Sequence, residues 1–162
     1  MRGAGIAAGL LLAALAFALG FVPRRVAIGG IVMAALSTLA VAFTVTPHDV
    51  DLTYAGCWLS LILAAVSVYW PRPARRLPWL CLAFSLNAGG WAGLVLASEP
   101  AAARPPWSLL ALLLVIPATL CVERGWSLAP RVVTSWLLAV ALLVGAIPHL
   151  VVHPGYVRDH ME

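Results

Sequence analysis

Long apolar runs alternate with short polar stretches along the whole chain, and this pattern predicts helices that cross a membrane. A helix needs about 20 apolar residues to cross the hydrocarbon core of a bilayer. Six runs approach or exceed that length; they are Gly3–Val22, Val26–Thr46, Leu52–Trp70, Leu77–Ala97, Pro106–Val122 and Arg131–Val151. Polar residues do not occupy every second position in these runs, as they do in the strands of a membrane barrel. The predicted fold is an all-α polytopic membrane helix bundle with about six transmembrane helices and short loops, forming one domain over residues 1–162.

The composition supports a membrane location and limits the possible functions. Hydrophobic residues make up 63% of the chain and charged residues only 10%, whereas a soluble domain has about 25% charged residues. The surface of such a chain must therefore face lipid, so the bilayer is its first expected partner. The loops are too short to hold a soluble catalytic domain, and we expect no nucleic-acid partner.

The arginines predict how the chain threads through the membrane. All ten basic residues are arginine. With six spans, three loops on one side contain seven arginines and one acid, a net charge of +6, whereas the other side has a net charge of −2. The seven arginines are Arg24, Arg25, Arg72, Arg75, Arg76, Arg124 and Arg131. Positive loops remain in the cytoplasm, so the prediction is a bacterial inner-membrane protein with both termini on the periplasmic side.

The first 20 residues allow an alternative reading. They begin with Arg2 and continue with an apolar run and small residues, as a cleaved signal peptide does. Without the first helix every later loop would change sides, against the arginine distribution. We therefore expect residues 1–20 to be retained as the first span.

The fourth predicted span has the least usual composition. It contains Asn87 near its middle, followed by Gly89, Gly90 and Gly93. Gly89 and Gly93 have the spacing that lets two membrane helices approach closely, and a buried amide forms hydrogen bonds between helices. We interpret this segment as a helix-packing face. The alternative is a local helix break that lines a substrate path.

Two further features concern the interior of the spans. Pro117 lacks a backbone N–H and is expected to kink the fifth span. Apart from the span ends, the six spans contain no Asp, Glu, Lys or Arg. This argues against a proton-coupled transporter, which needs ionisable groups within the membrane.

The candidate chemistry lies on the predicted periplasmic rim. His48 and Asp49 follow the second span, and His149 and His153 end the sixth with a spacing of four residues. On one helix face, two such histidines could bind a transition-metal ion such as zinc or copper. The favoured alternative is an ordinary interfacial segment without bound metal.

The sequence allows three functions, and no motif identifies a family. The first is a non-enzymatic accessory or scaffold subunit, or a homo-oligomer, that acts through helix packing with other membrane subunits or with itself. The second is transport or handling of a small solute or metal through the histidine and aspartate rim. The third is a lipid-modifying membrane enzyme, which we rank last because the chain has no nucleophile or phosphate-binding motif.

Overall fold

The computed structural model describes residues 4–47, 49–69, 78–99 and 106–146. All regular structure in these ranges is helical, which confirms the predicted helical class for the described residues. The elements are α1 (Ala4–Leu19), α2 (Arg24–Thr44), α3 (Val50–Ser67), α4 (Pro78–Ala97), a 3₁₀ helix (Pro106–Leu114), α5 (Val115–Glu123) and α6 (Leu128–Ala146).

Three of these helices, α2, α3 and α4, are long and apolar enough to cross a membrane. The other apolar helices, over Gly5–Leu19, Trp107–Glu123 and Leu128–Val144, are shorter. The six-span bundle therefore remains a prediction.

The fifth predicted span differs most from the sequence expectation. It is not one α-helix, because nine residues of 3₁₀ helix precede the nine residues of α5. A 3₁₀ helix rises about 2.0 Å per residue and an α-helix 1.5 Å, so the two segments together extend about 31 Å. Pro117 is the third residue of α5, and it lacks the N–H that a continuous α-helix would bond to the carbonyl of Leu113, in the 3₁₀ segment. The structure thus changes helix type next to this proline.

Other helix boundaries also move from their predicted positions, since α1 ends at Leu19 rather than Val22 and α2 begins at Arg24 rather than Val26. Helix α3 begins at Val50, because the Asp49 side chain accepts a hydrogen bond from the Leu52 N–H at 3.0 Å and caps the helix. Helix α6 begins at Leu128 and thus includes Arg131, which the sequence pattern placed at the edge of the loop.

Helix α1 lies at the centre of the structure and contacts every other helix. Its sequence consists mainly of alanine and leucine, with no polar side chain between Ala4 and Leu19. A helix that is apolar on all sides is one that neighbouring helices can surround. Its buried hydrophobic residues are Ala7, Ala8, Leu11, Leu12, Ala13, Ala14, Leu15, Ala16 and Leu19.

The other helices form an open ring around α1. The contacts follow the order α2, α4, α3, α6 and then the fifth segment, made of the 3₁₀ helix and α5. About six cylinders of equal width fit around a central one, and helices have similar diameters. Five surrounding helices therefore leave one gap, which lies as a cleft between α2 and α5.

Two contacts join the last turns of α1 and α3 to the first turn of α6. The Arg131 guanidinium carbon lies 5.7 Å from the centre of the Phe21 ring, in the turn after α1. The Tyr69 hydroxyl, just after α3, donates to the Arg131 carbonyl oxygen at 3.0 Å. These contacts bring three helix ends to the same end of the bundle.

Candidate helix-packing site and outer polar face

Helices α2 and α4 pack through two matching series of small residues. Each series repeats every four residues, so its members lie along one face of the helix. The series are Gly30, Ala34, Thr38 and Ala42 on α2 and Ser85, Gly89, Gly93 and Ala97 on α4, and all eight residues are buried. Gly30 lies beside Ser85, Ala34 beside Gly89 and Thr38 beside Gly93, so residues in contact differ by 55 in sequence number. Because later residues of α2 contact later residues of α4, the two helices run parallel.

Gly89 and Gly93 allow the two backbones to approach. A methyl group added to Gly89 would overlap the Ala34 carbonyl oxygen and the Ser37 hydroxyl. One added to Gly93 would lie 2.7 Å from the Thr38 carbonyl oxygen and 2.9 Å from the Val41 Cβ. Because the obstacles include backbone atoms, side-chain rotation cannot remove them, and glycine is required for this separation.

The hydroxyl groups in this interface form hydrogen bonds within their own helix. Ser37 Oγ donates to the Ala34 carbonyl at 3.1 Å, and Thr38 Oγ1 donates to the same oxygen at 2.7 Å. On α4, Ser85 Oγ donates to the Cys81 carbonyl at 2.9 Å. These polar side chains thus need no partner on the opposite helix, and the two helices associate through close van der Waals contact of their backbones.

Asn87 and Gly90 lie away from this interface. The Asn87 side chain is exposed, and its Nδ2 donates to Ser60 Oγ on α3 at 3.1 Å. Ser60 itself is buried. Gly90 has open space where a side chain would project. The glycines of α4 therefore divide between two faces, with Gly89 and Gly93 against α2 and Gly90 beside Asn87 on the outside.

The α3–α4 contact contains one further glycine, Gly56, which no sequence pattern marks as a contact site. A methyl group at Gly56 would overlap the Trp91 ring, so the ring lies directly on the α3 backbone. Trp91 is only partly buried and packs against the core. This contact and the Asn87–Ser60 bond join the two helices at two levels.

Most of the predicted histidine and aspartate rim lies outside the described residues. His48, His149 and His153 belong to that part, so the proposed metal site stays a prediction. Asp49 is described, and its carboxylate caps α3. Within residues 4–47, 49–69, 78–99 and 106–146, no three His, Cys, Asp or Glu side chains are grouped as metal ligands.

The cleft between α2 and α5 was not selected from the sequence. It has a volume of about 320 Å³ and lies beside Arg24 at the start of α2 and Glu123 at the end of α5. The sequence indicates only that Arg24 and Glu123 lie at span ends on the same predicted side of the membrane. That signal does not reveal a cleft, because it does not indicate which helices are neighbours.

Comparison of the chain with protein-family models, with characterised proteins and with solved structures gives no significant match.

Proposed function

We propose that this chain is a non-enzymatic integral membrane protein that acts through helix packing and assembles with a second copy of itself through the Asn87 face. The Asn87 face is the exposed surface of α4 around Asn87, Leu86 and Gly90. In this proposal the chain crosses a bacterial inner membrane six times, with both termini in the periplasm.

The contacts among helix ends support six crossings. In a chain that crosses at every helix, the ends of the first and third spans and the start of the sixth share one side. The Arg131–Phe21 and Tyr69–Arg131 contacts join these three ends. Alternating crossings also require the second and fourth spans to run parallel, as α2 and α4 do.

The exposed Asn87 amide is the observation that carries the assembly proposal. Hydrocarbon offers an amide no hydrogen-bond partner, so a polar side chain on a lipid-facing surface favours contact with another helix. The bond to Ser60 occupies one of the amide's two N–H groups and leaves its carbonyl oxygen for other donors.

A second copy suits this surface because an amide is both donor and acceptor. Two Asn87 side chains related by a two-fold axis can each donate to the other, as a symmetric dimer interface requires. Gly90 lies three residues further along, on the same side of the helix, and its missing side chain permits close approach.

The arrangement of the helices disfavours a solute path through the middle. Helix α1 occupies the centre, and most of its alanine and leucine side chains are buried among the surrounding helices. A transport function would require this apolar helix to move or leave. The outer surfaces therefore remain the better location for function.

Cysteine cross-linking in membranes tests the proposed interface. Cys81 and Cys121 are first replaced by alanine, whereas buried Cys57 remains. Leu86→Cys then places a thiol beside Asn87, and Val32→Cys places one at the same level of α2, on a different surface. The two positions match in exposure, at 48% and 49%.

We expect oxidation to give a cross-linked dimer for Leu86→Cys and almost none for Val32→Cys. Adding Asn87→Leu or Gly90→Leu should abolish the dimer, since the first removes the amide and the second fills the open space. Equal cross-linking at both positions would contradict the proposed interface. A specific adduct with a different protein at Leu86→Cys would show that the partner on this face is another subunit and not a second copy of the chain.

A further inference from the structure

The cleft between α2 and α5 has an apolar body and a charged end. Ile28 and Ile31 of α2 form one side, and Ile116 and Leu120 of α5 form the other. Arg24 and Glu123 lie at the end where α2 begins and α5 ends. A molecule that fills this cleft should therefore combine a hydrocarbon chain with a polar head.

The dimensions of the cleft suit a hydrocarbon chain. From Arg24 to Ile31 the cleft follows α2 for seven residues, or about 10 Å, and its volume is about 320 Å³. An extended acyl chain can lie along this groove with its apolar carbons against the isoleucine and leucine side chains. A helix seated in the gap would bring no headgroup for the charged end, so the charged end favours a lipid.

The start of α2 provides groups that suit a phosphate. Arg24 and Arg25 are its first two residues, and its first turn contains no acid. Both therefore lie at the positive end of the helix dipole, where an anion is stabilising. Pro23 precedes them and its side chain makes no capping hydrogen bond. The Val26 and Ala27 N–H groups donate to the Pro23 carbonyl, so the N–H groups of Arg24 and Arg25 are the ones that can bind phosphate oxygens.

Glu123 distinguishes between classes of phospholipid. Its exposed carboxylate lies at the same end of the cleft as Arg24. A headgroup with both a phosphate and a primary ammonium matches this pair, because a guanidinium binds phosphate and a carboxylate accepts hydrogen bonds from an ammonium. A glycerol headgroup lacks the cation, and a choline headgroup lacks N–H donors.

We infer that the cleft binds phosphatidylethanolamine, with one acyl chain between α2 and α5, the phosphate at Arg24 and the ammonium at Glu123. This inference rests on the proposed membrane location of the chain but not on its assembly through Asn87. The hydroxyl of Thr119, inside the cleft, donates to the Val115 carbonyl at 2.8 Å. The wall therefore presents few polar groups to the chain.

Native mass spectrometry of the full chain in detergent tests this inference. Phosphatidylethanolamine, phosphatidylglycerol and phosphatidylcholine with identical acyl chains are added separately at increasing concentration. We expect one tightly bound phosphatidylethanolamine, with about threefold to tenfold weaker binding of the other two lipids, as the loss of a partly exposed ionic contact gives. The measurement is made on the monomer, so failure of the Asn87 interface would not affect it.

Matched variants locate the site. Glu123→Gln should remove the preference for phosphatidylethanolamine over phosphatidylcholine. Arg24→Gln should weaken the binding of all three lipids. Arg124→Gln changes an exposed arginine outside the cleft and should leave their binding unchanged. Ile31→Trp fills the cleft and should abolish tight binding, whereas Val32→Trp, one residue away, should retain it.

Three results would overturn the inference. A preference for phosphatidylglycerol would mean that the arginines alone select the headgroup. Equal binding in wild type and in Arg24→Gln would indicate lipid bound around the whole protein surface. Binding that survives Ile31→Trp, in a variant with an unchanged unfolding transition, would place the lipid elsewhere.

Discussion

Adding one methyl group to different glycines of α4 should have opposite effects on stability. Gly89→Ala places the methyl group against the Ala34 carbonyl, and Gly93→Ala places it 2.7 Å from the Thr38 carbonyl. At Gly90 the same group meets no atom within 4 Å. The three substitutions are chemically identical and lie within five residues of one helix, so their differences report the packing alone.

The expected magnitudes combine two opposing effects. Alanine favours a helix over glycine by about 0.8–1.0 kcal/mol, and Gly90→Ala should be neutral or stabilising by up to that amount. At Gly89 the helices must separate, and a gap of about 0.5–1 Å loses a quarter to a half of each dispersion contact. We expect a net destabilisation of about 1–3 kcal/mol for Gly89→Ala, and a smaller one for Gly93→Ala.

Unfolding in mixed micelles with increasing dodecyl sulfate measures these effects, with fluorescence of the seven tryptophans as the signal. Protein concentration is kept low enough for the chain to be monomeric, so that Gly90 reports only the fold. Gly9→Ala in α1 is a second control, because its added methyl group also meets no atom within 4 Å. Equal stability changes for Gly89→Ala and Gly90→Ala would refute the parallel α2–α4 arrangement.

Three further predictions concern other parts of the chain. Asp49→Ala should lower the free energy of unfolding by about 1 kcal/mol through loss of the α3 cap, whereas Asp49→Asn should preserve it because asparagine caps equally well. Tyr69→Phe should cost about 0.5 kcal/mol through loss of its bond to the Arg131 carbonyl; no change in the unfolding midpoint would show that this contact is not formed. The intact mass of purified protein should include residues 1–20, since α1 forms the centre of the structure; a mass lacking them would require a different core.

The sequence predicted the helical class and the unusual residues of α4, but it could not predict which helix α4 packs against. Small residues spaced four apart also occur in the first and second spans, so several partners satisfy the pattern. Even for α2 and α4 the register is ambiguous, because a shift of four residues again matches small residues with small ones. Bulky side chains across the interface decide it, such as Leu82 of α4 beside Gly29 of α2.

The fifth span shows a different limit of sequence reasoning. Its segment Pro106–Leu114 contains six leucine or alanine residues among nine, so apolar side chains occur on all sides. Repeats of 3.0 and 3.6 residues can be distinguished only when polar positions mark one face. The sequence therefore predicted a span but not its 3₁₀ geometry. The greater rise of the 3₁₀ helix gives this segment and α5 a combined length of about 31 Å, but the crossing itself stays a prediction.

The central position of α1 connects the two proposed outer sites. Because α1 is surrounded, the other helices form a ring, and five helices leave one gap between α2 and α5. The same ring places α4 between α2 and α3, so one face of α4 packs against each neighbour and a third faces outward with Asn87. If α1 lay at the edge instead, the surrounding helices could close on each other and remove both the cleft and this outward face. Substitutions that enlarge α1, such as Ala14→Leu at a fully buried position, should therefore disturb lipid binding at the cleft and cross-linking at Leu86→Cys together.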